Sequence, residues 1–341
     1  MNEEIIAITE KFNIEGAAVS AAAFGNGHIN DTYLVKTENK RYVLQRVNDH
    51  VFSCPEEVME NIAAVTEFTG GPLKVIPACD GRLWHRSSGG FWRMMTYVEN
   101  SCTCESAPGP EIIREAGRAY GAFIHGLSAF PAEKLHVTID RFHDTRWRYD
   151  NLMNACKAGS RGRMALASEE IDFAKEHEKD VDILNRCAAG GEIPVRVTHN
   201  DTKINNVLFD RDNGKAVCVI DLDTVMPGLA VCDFGDAVRS GTAGQEDEAD
   251  PEKAGLDIGL YRSLREGFAE GCPELTQREK ELLPWGAKLM ALECGIRFLT
   301  DYLEGDHYFK TDYPGHNLVR CRAQFRLVRS MEEKWDEMVN W

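Results

Sequence analysis

Apolar and polar positions divide the chain into two regimes. Through the first hundred residues the apolar runs are short, and they alternate or are bounded by turn residues. Thr32 to Val35, RYVLQRV from Arg41 to Val47, and then LKVIPA, GRLWHR and GFWRMMTYVEN each predict a strand. Two helical patterns break this series. One is a short amphipathic helix over residues 1–20 that carries Ile5, Ile6, Ile8 and Phe12. The other is PEEVMENIAAVTEF at 55–68, with a proline and two glutamates in its first turn, where helix starts favour them. The pattern predicts an α+β fold with a mainly antiparallel sheet. After SCTCESAPGP at 101–110 the apolar spacing becomes helical, at 111–127, 145–157, 168–188, 258–270, 277–303 and 318–339. This change places a boundary near 99–110, with one lobe over 1–99 and a larger one over 100–341. GTAGQEDEADPEKAG, at 241–255, predicts a polar, mobile surface loop.

One stretch departs from the helical regime. VTHNDTKINNVLFDRDNGKAVCVIDLD, residues 197–223, has two apolar strand-like runs around a polar loop. Its acidic and amide side chains stand beside apolar runs, where a purely structural segment has little use for them. Asp201, on a loop between β-type runs, can accept a proton from a substrate hydroxyl. Asn206 can offer a carbonyl oxygen and Asp221 a carboxylate to a cation. So few hard oxygen ligands suit Mg2+, which takes its remaining ligands from water and substrate phosphates. Lys203 is a point charge suited to a transferring phosphoryl group. A base, a cation and two metal ligands are the parts needed for phosphoryl transfer to an alcohol.

Composition narrows the classes. A formal net charge of -16 argues against a general nucleic-acid binder, though a local cluster of cations can still hold a nucleotide. No run approaches the length of a membrane span, and the first ten residues are acidic where a signal peptide would be basic. A cytoplasmic protein with no obligate protein partner is expected. The 11 cysteines lack a zinc spacing, which predicts reduced thiols.

The loop H-N-D-T-K-I-N-N resembles the protein-kinase catalytic loop H-R-D-x-x-x-x-N, with His199, Asp201 and Asn206 in the matching places. Asp221, in IDLD, resembles the metal-binding aspartate of D-F-G. Leu222 and Asp223 replace the phenylalanine and glycine, and there is no A-P-E segment. These departures point to the aminoglycoside and choline phosphotransferase branch of the kinase-like fold. The set GNGHINDTY, YVLQRVN, FHDTRWRYDN, THNDTKINNVLFD, IDLDTVMPG, DFGDAVRSG and CGIRFLTDYLEGDHYF, spread over nearly the whole chain, resembles the N-acetylhexosamine 1-kinase family.

That resemblance implies a two-lobed kinase-like fold with a small nucleotide-binding lobe and a larger, mainly helical lobe for catalysis and substrate. It implies transfer from Mg-ATP to the anomeric hydroxyl of N-acetylglucosamine or N-acetylgalactosamine. Asp201 would be the base, Lys203 would neutralise the γ-phosphate, and Asn206 and Asp221 would hold Mg2+. Gly25 and Gly27 would cover the phosphates, and Thr96, Tyr97 and Val98 would form the adenine hinge. His28, Arg297 and Tyr308, with Asp201, would bind the sugar. Arg46 would stand in for the lysine of the third kinase strand, with Gln45 as the neighbouring candidate. Asp223 would support either the metal or the sugar.

Other meanings compete. A glycine turn before a strand is more commonly an ordinary hairpin, and Glu57 and Glu60 are more commonly solvated than paired with a strand cation. Asp233, in a literal D-F-G, is expected to be an N-cap or a structural carboxylate beneath the catalytic loop. FHDTRWRYD is expected to fix a loop to a helix, and His199 to orient rather than carry protons. A kinase of choline, homoserine or an aminoglycoside is the alternative function, and a silent nucleotide-binding scaffold is a third. An aromatic-lined acceptor site would indicate choline and an acidic one an aminoglycoside.

Overall fold

The computed structural model describes residues 2–25, 30–49, 51–104, 109–243 and 250–340. The predicted sites Gly27 and His28 lie outside the described residues, as do 244–249 of the acidic loop.

The N-terminal region opens with helix α1 (Asn2–Thr9). It continues through strands β1 (Ala18–Ala23), β2 (Asp31–Thr37) and β3 (Arg41–Val47), helix α2 (Pro55–Thr69), and strands β4 (His85–Ser87) and β5 (Gly90–Thr96). The five strands form one antiparallel sheet in the order β1-β2-β3-β5-β4. Strand alternation gives this sheet two different faces. Tyr42 and Leu44 of β3 join Val35, Trp92 and Met94 against Ile5 and Phe12 in a small core of their own. Val47, Phe91 and Met95, on the other face, belong to the main core. The predicted strand in LKVIPA is reduced to single bridges, Val75 to Met95 and Ala78 to Phe12.

The rest is mainly helical. Strand β6 (Ser101–Cys102) leads to α3 (Pro110–Gly126), α4 (Thr145–Ala158), α5 (Arg161–Leu166), α6 (Ser168–Glu176) and α7 (Ile183–Ala189). Next come β7 (Arg196–Thr198), β8 (Val207–Asp210), β9 (Ala216–Val219) and β10 (Met226–Gly228), followed by α8 (Ala230–Gly241), α9 (Ile258–Gly271), α10 (Gln277–Glu304), α11 (His316–Glu333) and α12 (Trp335–Val339). The single helix expected over 168–188 is two, α6 and α7, separated by a turn in which Asp180 pairs with Lys288. A capping box at Thr276 and Glu279 starts α10, and Gly305 at φ 118° ends it. None of the 11 cysteines is paired in a disulfide, and five of them are buried.

Two helix pairs touch backbone to backbone. On α3, a Cβ added at Gly117 or Gly121 would lie 2.3 Å from a carbonyl oxygen of α9, and Gly267 and Gly271 of α9 return the contact at 2.0 and 2.3 Å. Gly235 of α8 and Gly286 of α10 meet in the same way, at 2.2 and 2.0 Å. Side chains of any size would hold these helices apart. Their close approach sets α8 and α10 beneath the loop that follows β7.

Candidate active site

The loop after β7 is held by its backbone. The carboxylate of Asp233, buried on α8, accepts the N–H groups of His199 and Asn200, both at 2.8 Å. One helical turn on, Asp236 accepts the N–H of Thr202 at 2.8 Å and pairs with Arg239. Asp233 is thus the structural carboxylate beneath the loop, and Leu229, not Asp233, is the N-cap of α8. Burial pushes the Asp233 carboxyl up to about 6, against the pull of the two N–H groups it accepts. Asn200 takes φ 64°, so the chain turns sharply just before Asp201.

His199 is buried, with its Nε2 bonded to the carbonyl of Ile220 at 2.9 Å and its Nδ1 accepting the N–H of Asp201 at 3.3 Å. Those partners require the neutral Nε2–H tautomer. The ring ties the two ends of the 197–223 segment together, which is the orienting role expected of it.

The hairpin of β8 and β9 brings the remaining predicted residues to Asp201. Asn206 ends a 3-10 turn (Ile204–Asn206), and its carbonyl accepts the N–H of Ile220 at 2.8 Å, so Asn206 and Asp221 meet at the mouth of the hairpin. The Asn206 side-chain N–H2 donates to the Asp201 carboxylate at 3.1 Å and to its carbonyl at 2.9 Å. Lys203 Nζ is 3.2 Å from Asp201 Oδ1, and its carbonyl is pinned by the hydroxyl of Tyr120 at 2.6 Å. Asp221 adopts φ 62°. Burial, together with the charges of Asp223 and Asp201, pushes its carboxyl up to about 7.

Two predictions about the sheet need correction. Arg46 does not face this site. It shares the outer face of the sheet with Tyr42 and Leu44, is exposed at the strand end, and pairs with Asp31, its register partner, through Nε at 2.8 Å. Alternation placed Arg46 with its neighbours correctly but could not say which face meets the site. Gln45 is on the inner face, where it donates to Thr32 and accepts from Arg93 Nε at 2.9 Å. The cation that reaches the site is Arg93 of β5, buried and paired with Asp223. Asn30 donates to the same carboxylate at 2.7 Å. Asp223 therefore joins the sheet to the loop. A lone arginine inside the apolar strand GFWRMMT was the available sign, and sequence reasoning passed over it. Glu60 pairs with His136 rather than with a strand cation.

At the strand end, Thr96 donates its N–H to Lys74 at 2.9 Å and Tyr97 donates to Arg41 at 3.4 Å. These bonds occupy the backbone N–H groups of Thr96 and Tyr97. Gly25, at φ 77°, follows Phe24, whose ring meets that of Tyr97 edge-on at 6.1 Å.

Arg297 and Tyr308 line one cavity of about 370 Å3, together with Arg148, Asn151, Thr300 and Phe309. The Arg297 guanidinium stands 5.8 Å from the ring of Phe142 and 5.5 Å from that of Phe309. Arg148 donates to the Phe142 carbonyl at 3.1 Å, while its Nε is buried with no hydrogen-bond partner among the described residues. Burial and the neighbouring Arg297 lower the Arg148 pKa. Asp301, also on the wall, is consumed by the N–H groups of His307, Tyr308 and Phe309 and by Asn317. Phe142 and His143 join cavity to loop, since His143 bonds the carbonyl of Asn200 at 3.0 Å.

A carboxylate beside a lysine, two oxygen donors at a hairpin mouth and a nearby polar cavity are an arrangement suited to phosphoryl transfer. A family model described as the phosphotransferase enzyme family matches residues 20–266. The chain belongs to this phosphotransferase family. The phosphotransferase fold is also that of solved structures. A microcompartment-associated aminopropanol kinase matches at TM-score 0.66 and 17% identity, covering 99% of each chain. A spectinomycin phosphotransferase in complex with ADP and spectinomycin matches at 0.64 and 12%, covering 98% of this chain and 99% of that one. The choline kinase of Cryptosporidium parvum Iowa II matches at 0.61 and 14%, covering 99% and 97%. At such identities the likeness is one of fold, the kinase-like α+β fold expected. No described helix is long and apolar enough to cross a membrane.

The donor set of this phosphotransferase fits Mg2+. The Asn206 amide nitrogen is committed to Asp201, so Oδ1 is the atom it has to offer. Asp221 is crowded by two carboxylates whose repulsion a cation would relieve. No cluster of three or more acidic, histidine or cysteine ligands occurs among the described residues. A site with two protein ligands, completed by phosphate and water, does not require one.

Proposed function

We propose that the protein transfers the γ-phosphoryl group of ATP, with Mg2+, to the C1 hydroxyl of an N-acetylhexosamine, N-acetylglucosamine or N-acetylgalactosamine. Asp201 takes the proton of the attacking hydroxyl, and Asn206 orients its carboxylate. Lys203 offsets charge on the transferring group. Asn206 and Asp221 hold Mg2+, which neutralises phosphate charge when bound. The sheet region, residues 1–99, covers the nucleotide with Gly25, Gly27 and the hinge of Thr96 to Val98. The remainder, 100–341, supplies the catalytic loop and the acceptor cavity.

The observation that carries the acceptor class is the pair of arginines on the cavity wall. The wall also carries the carboxylates of Asp301 and Glu304, so its formal charges balance, and it lacks the acidic excess that a polyamine or an aminoglycoside would call for. A neutral, oxygen-rich molecule suits this wall: ring hydroxyls and an amide carbonyl can accept from the guanidiniums of Arg297 and Arg148. Arg297, Tyr308 and His28 are the sugar contacts in this reading.

Incubation with ATP, Mg2+ and either amino sugar should give the sugar 1-phosphate, read by phosphorus NMR. Asp201→Asn should lower kcat by roughly 10²–10⁴-fold. Phosphate on another ring hydroxyl, or faster turnover of choline or an aminoglycoside, would replace the acceptor assignment.

A further inference from the structure

His143 lies outside the parts assigned so far, in the FHDTRWRYD stretch just before α4. Its ring is almost entirely buried, and it meets an acceptor at each nitrogen. Nδ1 is 3.1 Å from a carboxylate oxygen of Glu293, and Nε2 is 3.0 Å from the carbonyl oxygen of Asn200. Neither partner can donate: an ionised carboxylate and a backbone carbonyl only accept. A neutral imidazole has one N–H and would leave a lone pair facing one of these oxygens. Only the imidazolium satisfies both contacts.

The partners give the contact its meaning. Glu293 lies on α10 one turn before Arg297 and is buried, with its other oxygen accepting from Thr145 at 2.7 Å. Asn200 has φ 64° and immediately precedes Asp201. The ring therefore links the helix that walls the acceptor cavity to the backbone that aims the base. We propose that His143 is a positioning residue for the transfer step: its imidazolium, held between Glu293 and the Asn200 carbonyl, fixes the turn from which Asp201 projects. The proposal rests on the reading of Asp201 as the base.

The charges around the ring support a cation. Glu293 faces it from α10, Asp236 and Asp233 act on it from α8, and Arg297, one turn along α10, helps to keep Glu293 ionised. The ring of Phe142 lies against it, with centroids 4.5 Å apart. Burial alone would lower the His143 pKa, but the Glu293 hydrogen bond and charge, with Asp236 and the Asn200 carbonyl, raise it above the ordinary 6.5. Its contribution is thus fully present below 6.5 and is lost as pH rises through the higher native value. On losing a proton, the ring keeps the remaining one toward the carboxylate, and the Asn200 carbonyl is left facing a lone pair.

The test compares wild type, Glu293→Gln, His143→Gln and the double variant. Imidazole proton–nitrogen spectra read the ring without any acceptor substrate, so their outcome is independent of the sugar assignment. In wild type both His143 N–H signals should persist at neutral pH, and kcat should fall on the alkaline side in step with their loss. In Glu293→Gln the amide can donate to Nδ1, so the ring should turn neutral at lower pH and the alkaline limb should disappear. His143→Gln, with its amide oxygen facing Glu293, should lose on the order of 10- to 100-fold in kcat. The double variant should regain most of this loss, because the amide that Glu293→Gln introduces can donate to that oxygen. A singly protonated His143 at neutral pH, or a double variant no faster than His143→Gln, overturns the proposal. Should His143→Gln fail to fold, the spectra of wild type and Glu293→Gln decide it.

Discussion

Asp221 illustrates how one side chain can be unfavourable in the isolated protein and useful when a cation is bound. Its carboxyl is buried beside Asp223 and Asp201, and its native pKa of about 7 is far above the ordinary 3.8. A carboxyl raised in the folded state binds a proton there that the unfolded chain has already released. Stability contributed by this group therefore falls as pH rises from 3.8 through about 7. Mg2+ binds the ionised form and should offset the loss. The rise in melting temperature caused by Mg2+ should grow across that window and level off above it, as differential scanning fluorimetry can follow. A shift independent of pH would remove Asp221 from the ligand set. At this scale the sequence was most informative where spacing is local. Asp201, Lys203, Asn206 and Asp221 stand within 21 residues and are brought together by one hairpin. Arg93 and Asn30 were not legible as partners of Asp223, because 130 and 193 residues separate each pair. No periodicity reports contacts at that range.

Helix α8 works on two faces. Asp233 and Asp236 hold the loop after β7 from one, and Gly235 brings the other against Gly286 of α10. Gly235→Ala would place a methyl 2.2 Å from a backbone oxygen with no side chain able to move aside. Forcing the helices apart should cost about 1–3 kcal/mol, measured by urea denaturation. It should also lower kcat more than a surface change of equal stability cost, because the loop hangs from the same helix. Elements were read unevenly. Periodicity gave the long helices almost to their ends, since α3, α4, α9 and α10 each have an apolar stripe or caps. Strand β1, AVSAAA, was missed because its composition lacks alternation and its place comes from pairing with β2. LKVIPA was over-read because a run of apolar residues next to a sheet does not by itself enter it.

At the scale of the whole molecule, the sheet and the helical region are joined at the site by the buried pair of Arg93 and Asp223. Arg93→Met would leave Asp223 as an uncompensated charge beside Asp221. Loss of one partner of such a pair should cost about 3–5 kcal/mol in chemical denaturation. Mg2+ should recover part of that loss. If Arg93→Met were as stable as wild type, the pair would not be what joins the regions. An antiparallel sheet in the N-terminal region followed by a mainly helical part was legible from the change of apolar spacing along the chain. Arg297 and Tyr308 were singled out only through resemblance, and Arg148, their neighbour on the cavity wall, was read as part of a loop anchor, because the three come from separate segments. The helix contact between α3 and α9 bears on how experiments on this protein are interpreted. Gly117, Gly121, Gly267 and Gly271 admit no side chain, although none lies on the catalytic loop or the cavity wall. In a saturation-mutagenesis screen scored by activity, these four positions should be depleted as severely as Asp201. Depletion alone would then mark a false second active site, and only a parallel abundance measurement would separate intolerance of volume from loss of chemistry.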